Sequence, residues 1–433
     1  MDVVVIGGGV VGLSVAASLQ RRGADVTVLE AGEWGRGASE GNAGWISPGL
    51  ANPVPAPGVM GQALRWMPNP RSPLLVRPVP RLSFLRWSWQ FWRSTKPNRY
   101  GAGMAALAGL GTRVLDDYDQ LVADGVEMEM HAEGLLFVGR SAQAVRAEVG
   151  VLREAQSLGY RGRIEEMTGN EVREHEPALG AAITAGVWAK DERHVRPESV
   201  TGGIVKHLEG RADLRSGVAA RRITPDGDGW QVETDQGEIL RTPRVVVATG
   251  WQSADLLAPL GVHLPMEGGK GYSVTVANPA VAPKGTLYLL EDRVAVSSFD
   301  GALRLAGTME LGTSNRKISP GRVAAIEAAA KRALVSWDGS TATRWAGFRP
   351  MLPDGVPAIG PVPGRPGLHV ATGHAMLGVT LGPTTGEILA PAVLDGRVSA
   401  ELAPFSLARF GNRSVPALPS PNASDAPIAG SPA

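Results

Sequence analysis

The chain opens with an apolar run that breaks directly into glycine: Val3-Val-Val-Ile6 is followed by Gly7-Gly-Gly-Val-Val-Gly12. Four consecutive β-branched residues read as a strand buried on both faces of a parallel sheet. Gly7, Gly9 and Gly12 supply the G-x-G-x-x-G spacing. The first glycine turns the chain tightly, the second lets backbone approach a pyrophosphate, and the third lets helix close on strand. The helix that follows runs to about Arg22 and ends at Gly23, and Val26, Val28 and Leu29 begin a second strand closed by Glu30. An acid roughly 20 residues beyond the glycines is placed to grip a ribose hydroxyl pair. Strand, turn, helix, strand and acid in register predict a dinucleotide site at Gly7, Gly9, Val11, Gly12, Glu30 and Ala31. Unpaired N–H groups at the helix start favour an anion there.

At 433 residues the chain exceeds what one core usually holds, so two domains are expected. The first strands and the last motifs belong to the same half. The reading is therefore α/β, with a discontinuous Rossmann-like nucleotide domain at 1–50, 195–266 and 345–411. An α+β substrate or cap domain with an antiparallel sheet takes 51–194 and 267–344. The tail 412–433, rich in Pro, Ser and Ala, reads as disordered. Cysteine is absent, which removes disulfides, thiolate metal sites and thiol nucleophiles; no other metal site is read. A net charge of +1 gives no reason to expect nucleic acid. No stretch is long and apolar enough to span a bilayer, and a first strand at residue 3 leaves no room for a leader, so a cytoplasmic protein is expected.

That small net charge hides an asymmetry. Residues 41–115 contain no Asp or Glu but hold Arg65, Arg71, Arg77, Arg81, Arg86, Arg93, Lys96, Arg99 and Arg113, together with Trp45, Trp66, Trp87, Trp89 and Trp92. Leu82-Ser-Phe-Leu-Arg-Trp-Ser-Trp-Gln-Phe-Trp-Arg93 is helical in period with a thin polar stripe. Two readings fit. Such a helix can lie in an anionic membrane surface, here the inner face of the cell membrane, or it can be a core helix whose arginines snorkel to water.

Elsewhere, residues 51–80 read as a proline-rich irregular excursion, with helices at about 82–95, 104–124, 142–158 and 320–334. Gly134–Val138 reads as a strand, a helix begins at Val195-Arg-Pro-Glu198, and 270–310 alternates like an antiparallel sheet. Arg244-Val-Val-Val-Ala-Thr-Gly250 reads as a buried strand that ends beside the nucleotide on Ala248, Thr249 and Gly250. The nucleotide sheet is expected to resume near 195 and to close after 345. Near the C-terminus, Arg349 lies in Gly347-Phe-Arg-Pro-Met-Leu-Pro-Asp-Gly355, a stretch poor in charge. Its guanidinium either grips a carboxylate through two parallel hydrogen bonds or pairs with an acid such as Asp354. Gly378-Val-Thr-Leu-Gly382 leads into a helix with Pro383 expected at its first position. His374 is read as packing, with a polar role at the site as the alternative.

Taken with Gly37-Ala-Ser-Glu-Gly-Asn-Ala-Gly-Trp-Ile-Ser-Pro48, Lys270-Gly-Tyr272 and Gly373-His-Ala-Met-Leu-Gly378, these motifs resemble the D-amino-acid oxidase superfamily of FAD enzymes. The similarity is greatest to the bacterial D-amino acid dehydrogenases and extends from residue 2 to about Phe410. The resemblance implies FAD as cofactor, with Gly37, Ala38, Ser39, Asn42, Ala43 and Gly44 lining it. It also implies that Val218 lies beside the adenine and that the backbone of Gly378, Val379, Thr380 and Leu381 meets the flavin pyrimidine edge. Arg349 would clamp the substrate carboxylate and Tyr272 would be the pocket aromatic. Glu40 departs from the pattern, since close relatives carry an aromatic residue there.

The implied reaction oxidises the CH–NH2 group of a D-amino acid to an imino acid, which water converts to a 2-oxo acid and ammonium. Electrons go on to a quinone or other acceptor. Open alternatives are a glycine- or sarcosine-type oxidase using oxygen, a D-hydroxyproline dehydrogenase, and a flavin-binding electron-transfer subunit with no substrate of its own. The lack of cysteine counts against the sarcosine-oxidase branch that tethers flavin through sulfur.

Overall fold

The computed structural model describes residues 2–411 except 67, 68, 70, 71 and 78; the tail read as disordered lies outside the described residues. A six-stranded sheet forms the nucleotide half. Its order is Asp213–Ser216, Val26–Glu30, Val3–Ile6, Arg244–Val247, Leu368–Thr372 and Ala358–Pro361, with only the last strand antiparallel. Val3, Val4, Val5 and Val26 are fully buried, as the unbroken apolar runs require of central parallel strands. The sheet resumes at Asp213–Ser216, later than expected. The strand Arg193–Val195 instead joins Trp45–Ile46 and Met130–His131 in a separate three-stranded sheet.

The helix Val10–Arg21 and the last long helix, Gly378–Asp395, cross closely and bring the two ends of the chain together. Small residues make that approach possible: a Cβ added at Gly386 would lie 2.5 Å from the Ser14 carbonyl oxygen. The late helix begins at Gly378, and Pro383 lies inside it instead of opening it. Proline has no N–H for the carbonyl four residues back. That carbonyl, of Val379, accepts the buried Tyr118 hydroxyl at 2.7 Å.

A nine-stranded mixed sheet forms the other half, running Thr343–Met351, Glu267–Ala277, Ala302–Leu311, Val294–Phe299, Thr286–Leu289, Leu135–Gly139, Ala185–Ala189 and Ile164–Thr168, with Leu74–Val76 beside Ala302–Leu311. The strand bearing Arg349 thus belongs to this sheet, and the chain returns to the nucleotide half after Met351, not near 345. One face of the sheet is dry: Tyr272, Val274, Leu287, Leu305 and Val296 pack with Val323, Ile326 and Ala330 of the helix Pro320–Ala333. The opposite face meets residues 41–45. There Arg304 donates to the Asn42 carbonyl at 3.0 Å and Ser297 to the Ala43 carbonyl at 2.6 Å.

The excursion 51–80 is less irregular than its composition suggests, since it holds the helix Val59–Trp66 and the strand Leu74–Val76. The helix expected over 104–124 is two helices, Pro97–Gly111 and Val114–Ala123. The helix Leu82–Ser94 has one packed face and one exposed apolar face. Phe84 and Trp87 are buried beside Leu311 and Met351, and Trp87 donates to the Met351 carbonyl at 3.1 Å. Leu82, Leu85, Trp89 and Trp92 face outward and are each at least half exposed.

Candidate flavin and substrate site

A cavity of about 740 Å³ runs between the glycine loop and the start of the late helix. Of the residues expected at the cofactor, Gly7, Gly9, Val11, Glu30, Ala31, Gly37, Ala38, Ser39, Asn42, Ala248, Thr249, Gly250, Gly378 and Val379 line it. Local chemistry explains the shape. Gly7 has φ +117°, and a Cβ there would lie 2.4 Å from the Ala248 oxygen; at Gly12 it would lie 1.9 Å from the Gly7 oxygen. These glycines keep strand and helix in contact and leave backbone bare toward the cavity.

Ser39 Oγ accepts from Val10 N–H at 3.0 Å, which folds the second glycine loop over the first. Glu30 accepts from Gly8 N–H at 2.7 Å and from Gly32 N–H at 2.9 Å, so its carboxylate is fastened at the cavity edge. The helices that start at the cavity, at Val10 and at Gly378, have no acid in the first turn and no cap from their own N-cap residues Gly9 and Leu377. Beyond Val10 N–H, which Ser39 holds, their first-turn N–H groups and dipoles suit a pyrophosphate at one end and electron-rich ring atoms at the other.

Six expected residues support the wall without forming it. Gly12 packs behind the loop. Gly44, at φ +77°, lets the chain pass Val195, and Ala43 is tied to Ser297. Val218 donates to the Glu30 carbonyl at 2.9 Å, leaving Ala219, Ala220 and Arg221 to face the cavity. Thr380 donates to the Trp45 carbonyl at 2.8 Å, and Leu381 is fully buried. Trp251, Arg316, Phe348, Pro350 and His374 also line the cavity, and Trp251 and Phe348 rings meet at 5.0 Å between centroids. Trp251 could have been read from its place beside Gly250; nothing local marks Arg316.

His374 is buried and bonded through Nε2 to Thr385 Oγ1 at 2.9 Å. The Thr385 hydroxyl already donates to Leu381, so it accepts, and the ring donates. Burial pulls the ring down to about 3, which leaves it neutral.

Arg349 stands between the cavity-lining Phe348 and Pro350 and projects to the face of the large sheet that meets residues 41–45. Its guanidinium packs flat on Gly271, where a Cβ would lie 2.0 Å from Nη1. Its hydrogen bond within the protein goes to the Thr308 carbonyl at 3.2 Å. Among the described residues no carboxylate lies within 4.0 Å of it. Asp354 is engaged instead by Arg409 at 2.7 Å. Burial without a counter-charge pulls the Arg349 guanidinium down to about 10, still cationic at neutral pH. A part-buried cation with no counter-charge is costly, and a carboxylate brought to it would relieve the cost.

Tyr272 does not line this cavity. Strand alternation puts it on the opposite sheet face from Arg349, where its hydroxyl donates to Glu310 at 2.6 Å and it lines a separate cavity with Lys270 and Arg77. Aromatic residues on the Arg349 face include Tyr288, whose ring meets Trp45 at 5.4 Å, and Trp345, which covers Gly41 and Gly347. Glu40 joins Arg36 and accepts from Trp345 Nε1 at 3.3 Å. The aromatic wall near residue 40 thus comes from another strand.

Comparison with known proteins agrees with this geometry. The chain is 32% identical over 434 residues to a D-amino acid dehydrogenase from Vibrio vulnificus, covering 95% of this chain and all of that one. It is similar in fold to glycine oxidase from Geobacillus kaustophilus (TM-score 0.71, 24% identity, 94% of this chain and 98% of that one). It is likewise similar to FAD-bound L-α-glycerophosphate oxidase from Mycoplasma pneumoniae (TM-score 0.72, 17% identity, 91% and 94%). The model of the FAD dependent oxidoreductase family DAO matches residues 2–392, and with a cavity whose bare glycines and uncapped helix starts fit the cofactor, the chain belongs to that family and is an FAD enzyme.

Proposed function

We propose that this enzyme oxidises the CH–NH2 group of a small D-amino acid to the imino acid, and that its electrons pass to a membrane quinone or a similar acceptor. The observation that carries the reading is the Arg349 guanidinium, which has no carboxylate within 4.0 Å among the described residues and whose chain neighbours Phe348 and Pro350 line the flavin cavity. The name of the Vibrio relative supports the D configuration. FAD, when bound, supplies the two-electron acceptor. The protein's own part is mainly orientation: Arg349 holds the carboxylate through parallel hydrogen bonds, which fixes the Cα–H. The neutral, hydrogen-bonded His374 provides no second positive charge. A neutral substrate amine needs no strong base, so the site has only to bind the zwitterion and release one proton. Anaerobic mixing with a panel of D- and L-amino acids tests the proposal. D-amino acids are expected to bleach the flavin absorption band, whereas bleaching by none of the panel would leave an electron-transfer subunit as the better reading. Stoichiometric peroxide in air would favour the oxidase alternative.

The membrane part of the proposal rests on the exposed row Leu82, Leu85, Trp89 and Trp92. Spacings of three and four residues put these side chains on one helix face. Arg93 lies 4.6 Å over the Trp89 ring. Arg77, Arg81 and Arg113 are tied to Glu310, Glu267 and Asp117. Among the described residues no carboxylate lies within 4.0 Å of Arg86, Arg93, Lys96 or Arg99. No helix of the described residues is long and apolar enough to cross a membrane, so contact would be peripheral. Flotation with anionic liposomes is expected to recover the protein, with less recovery on neutral ones and with a Trp89→Ser/Trp92→Ser variant. Equal recovery in all three would refute electrostatic docking through this face.

A further inference from the structure

The small sheet that holds Trp45 also carries two facing histidines. His131 and His194 are register partners on Met130–His131 and Arg193–Val195, and their rings stack at 4.7 Å between centroids. His194 is 1% exposed. Its Nε2–H donates to the Ser298 carbonyl at 2.7 Å, while its buried Nδ1 has no hydrogen-bond partner. Among the described residues this buried ring nitrogen is thus left available to a ligand.

His131 repeats the arrangement, since its Nε2 meets Glu129 at 3.0 Å and its Nδ1 keeps the lone pair. Glu129 is itself held by Arg196 and by the Asp300 N–H, so it orients the ring and is not free to ligate. Glu133 is exposed. Donor atoms of His131, Glu133 and His194 lie within 4.8 Å of one another.

We propose that His131, His194 and Glu133 bind one divalent transition-metal ion of the zinc type. Two neutral imidazoles and a carboxylate, with water in the fourth position, are a donor set such ions accept. On His194 the backbone carbonyl at the far ring nitrogen is an outer partner of the kind that fixes tautomer and orientation in metal sites. The rings lie nearly parallel, 16° apart, so shared ligation needs a turn of one of them. His131, its side chain 23% exposed, has the room to make it. Because Trp45 pairs with His194 in the same sheet, the ion would brace the strand that leads out of the flavin loop.

The test is calorimetric titration of untagged, FAD-loaded, chelator-washed protein with zinc chloride. One ion per chain is expected, with affinity at least about tenfold weaker in His131→Ala and Glu133→Gln, while the visible flavin spectrum stays unchanged. Absence of saturable binding, or unchanged affinity in Glu133→Gln, overturns the proposal. Glu133 is exposed and among the described residues its side chain makes no hydrogen bond, so that variant decides the matter even where His131→Ala loses its flavin.

Discussion

Arg349→Ala is expected to raise the KM for the amino acid and to lower kcat/KM by about 30- to 5,000-fold. That range corresponds to about 2–5 kcal/mol for removing one partner of a buried charge pair. Flavin content should be unchanged, because Arg349 lies outside the cavity wall. Gly271→Ala provides an independent check on the same clamp. The new methyl would lie 2.0 Å from Nη1 and 2.4 Å from Cζ of Arg349, so the guanidinium must leave its seat while keeping its charge. The same rise in KM is expected, in a protein that is still yellow. Steady-state kinetics unchanged in both variants would remove the carboxylate clamp from the account.

Gly12→Ala is expected to abolish flavin retention. The added Cβ would lie 1.9 Å from the Gly7 oxygen and 3.0 Å from its carbonyl carbon, and neither backbone atom can swing aside as a side chain would. The helix Val10–Arg21 must then back away from the strand Val3–Ile6, and its N–H groups withdraw from the cavity. Overpacking of this kind costs about 1–3 kcal/mol of stability, so the protein should melt lower as well as purify colourless. The absorbance ratio of flavin band to protein after gel filtration gives the answer. A yellow Gly12→Ala protein with wild-type affinity for FAD would mean that the glycine turn does not set the cofactor's seat.

Most of the cofactor cavity was legible before any fold was known, for a physical reason. A tight turn, a close backbone approach and a helix start are local events, and each leaves its own residue at its own spacing. Gly7, Gly9, Glu30 and Gly378 line the cavity as their motifs predicted. Local patterns mislead where a long-range partner completes the geometry. Pro383 reads as a helix start, yet it lies inside a helix because Tyr118, from a distant helix, satisfies the carbonyl it strands. Tyr272 and Arg349 both belong to family-like motifs on paired strands, but pleating sends their side chains to opposite faces. No spacing in the sequence links His131 to His194, 63 residues on, and they become neighbours only through strand pairing.

The amino-acid order alone therefore determined that the first glycine turn is built to receive an anionic dinucleotide, and that an arginine in a charge-poor stretch near the C-terminus awaits a carboxylate or an acid. Tertiary structure removed one of those two partners by giving Asp354 to Arg409, leaving the part-buried Arg349 guanidinium with no carboxylate within 4.0 Å among the described residues. Turn geometry is written within a few residues, whereas the pairing of a charge depends on every group the fold brings near it.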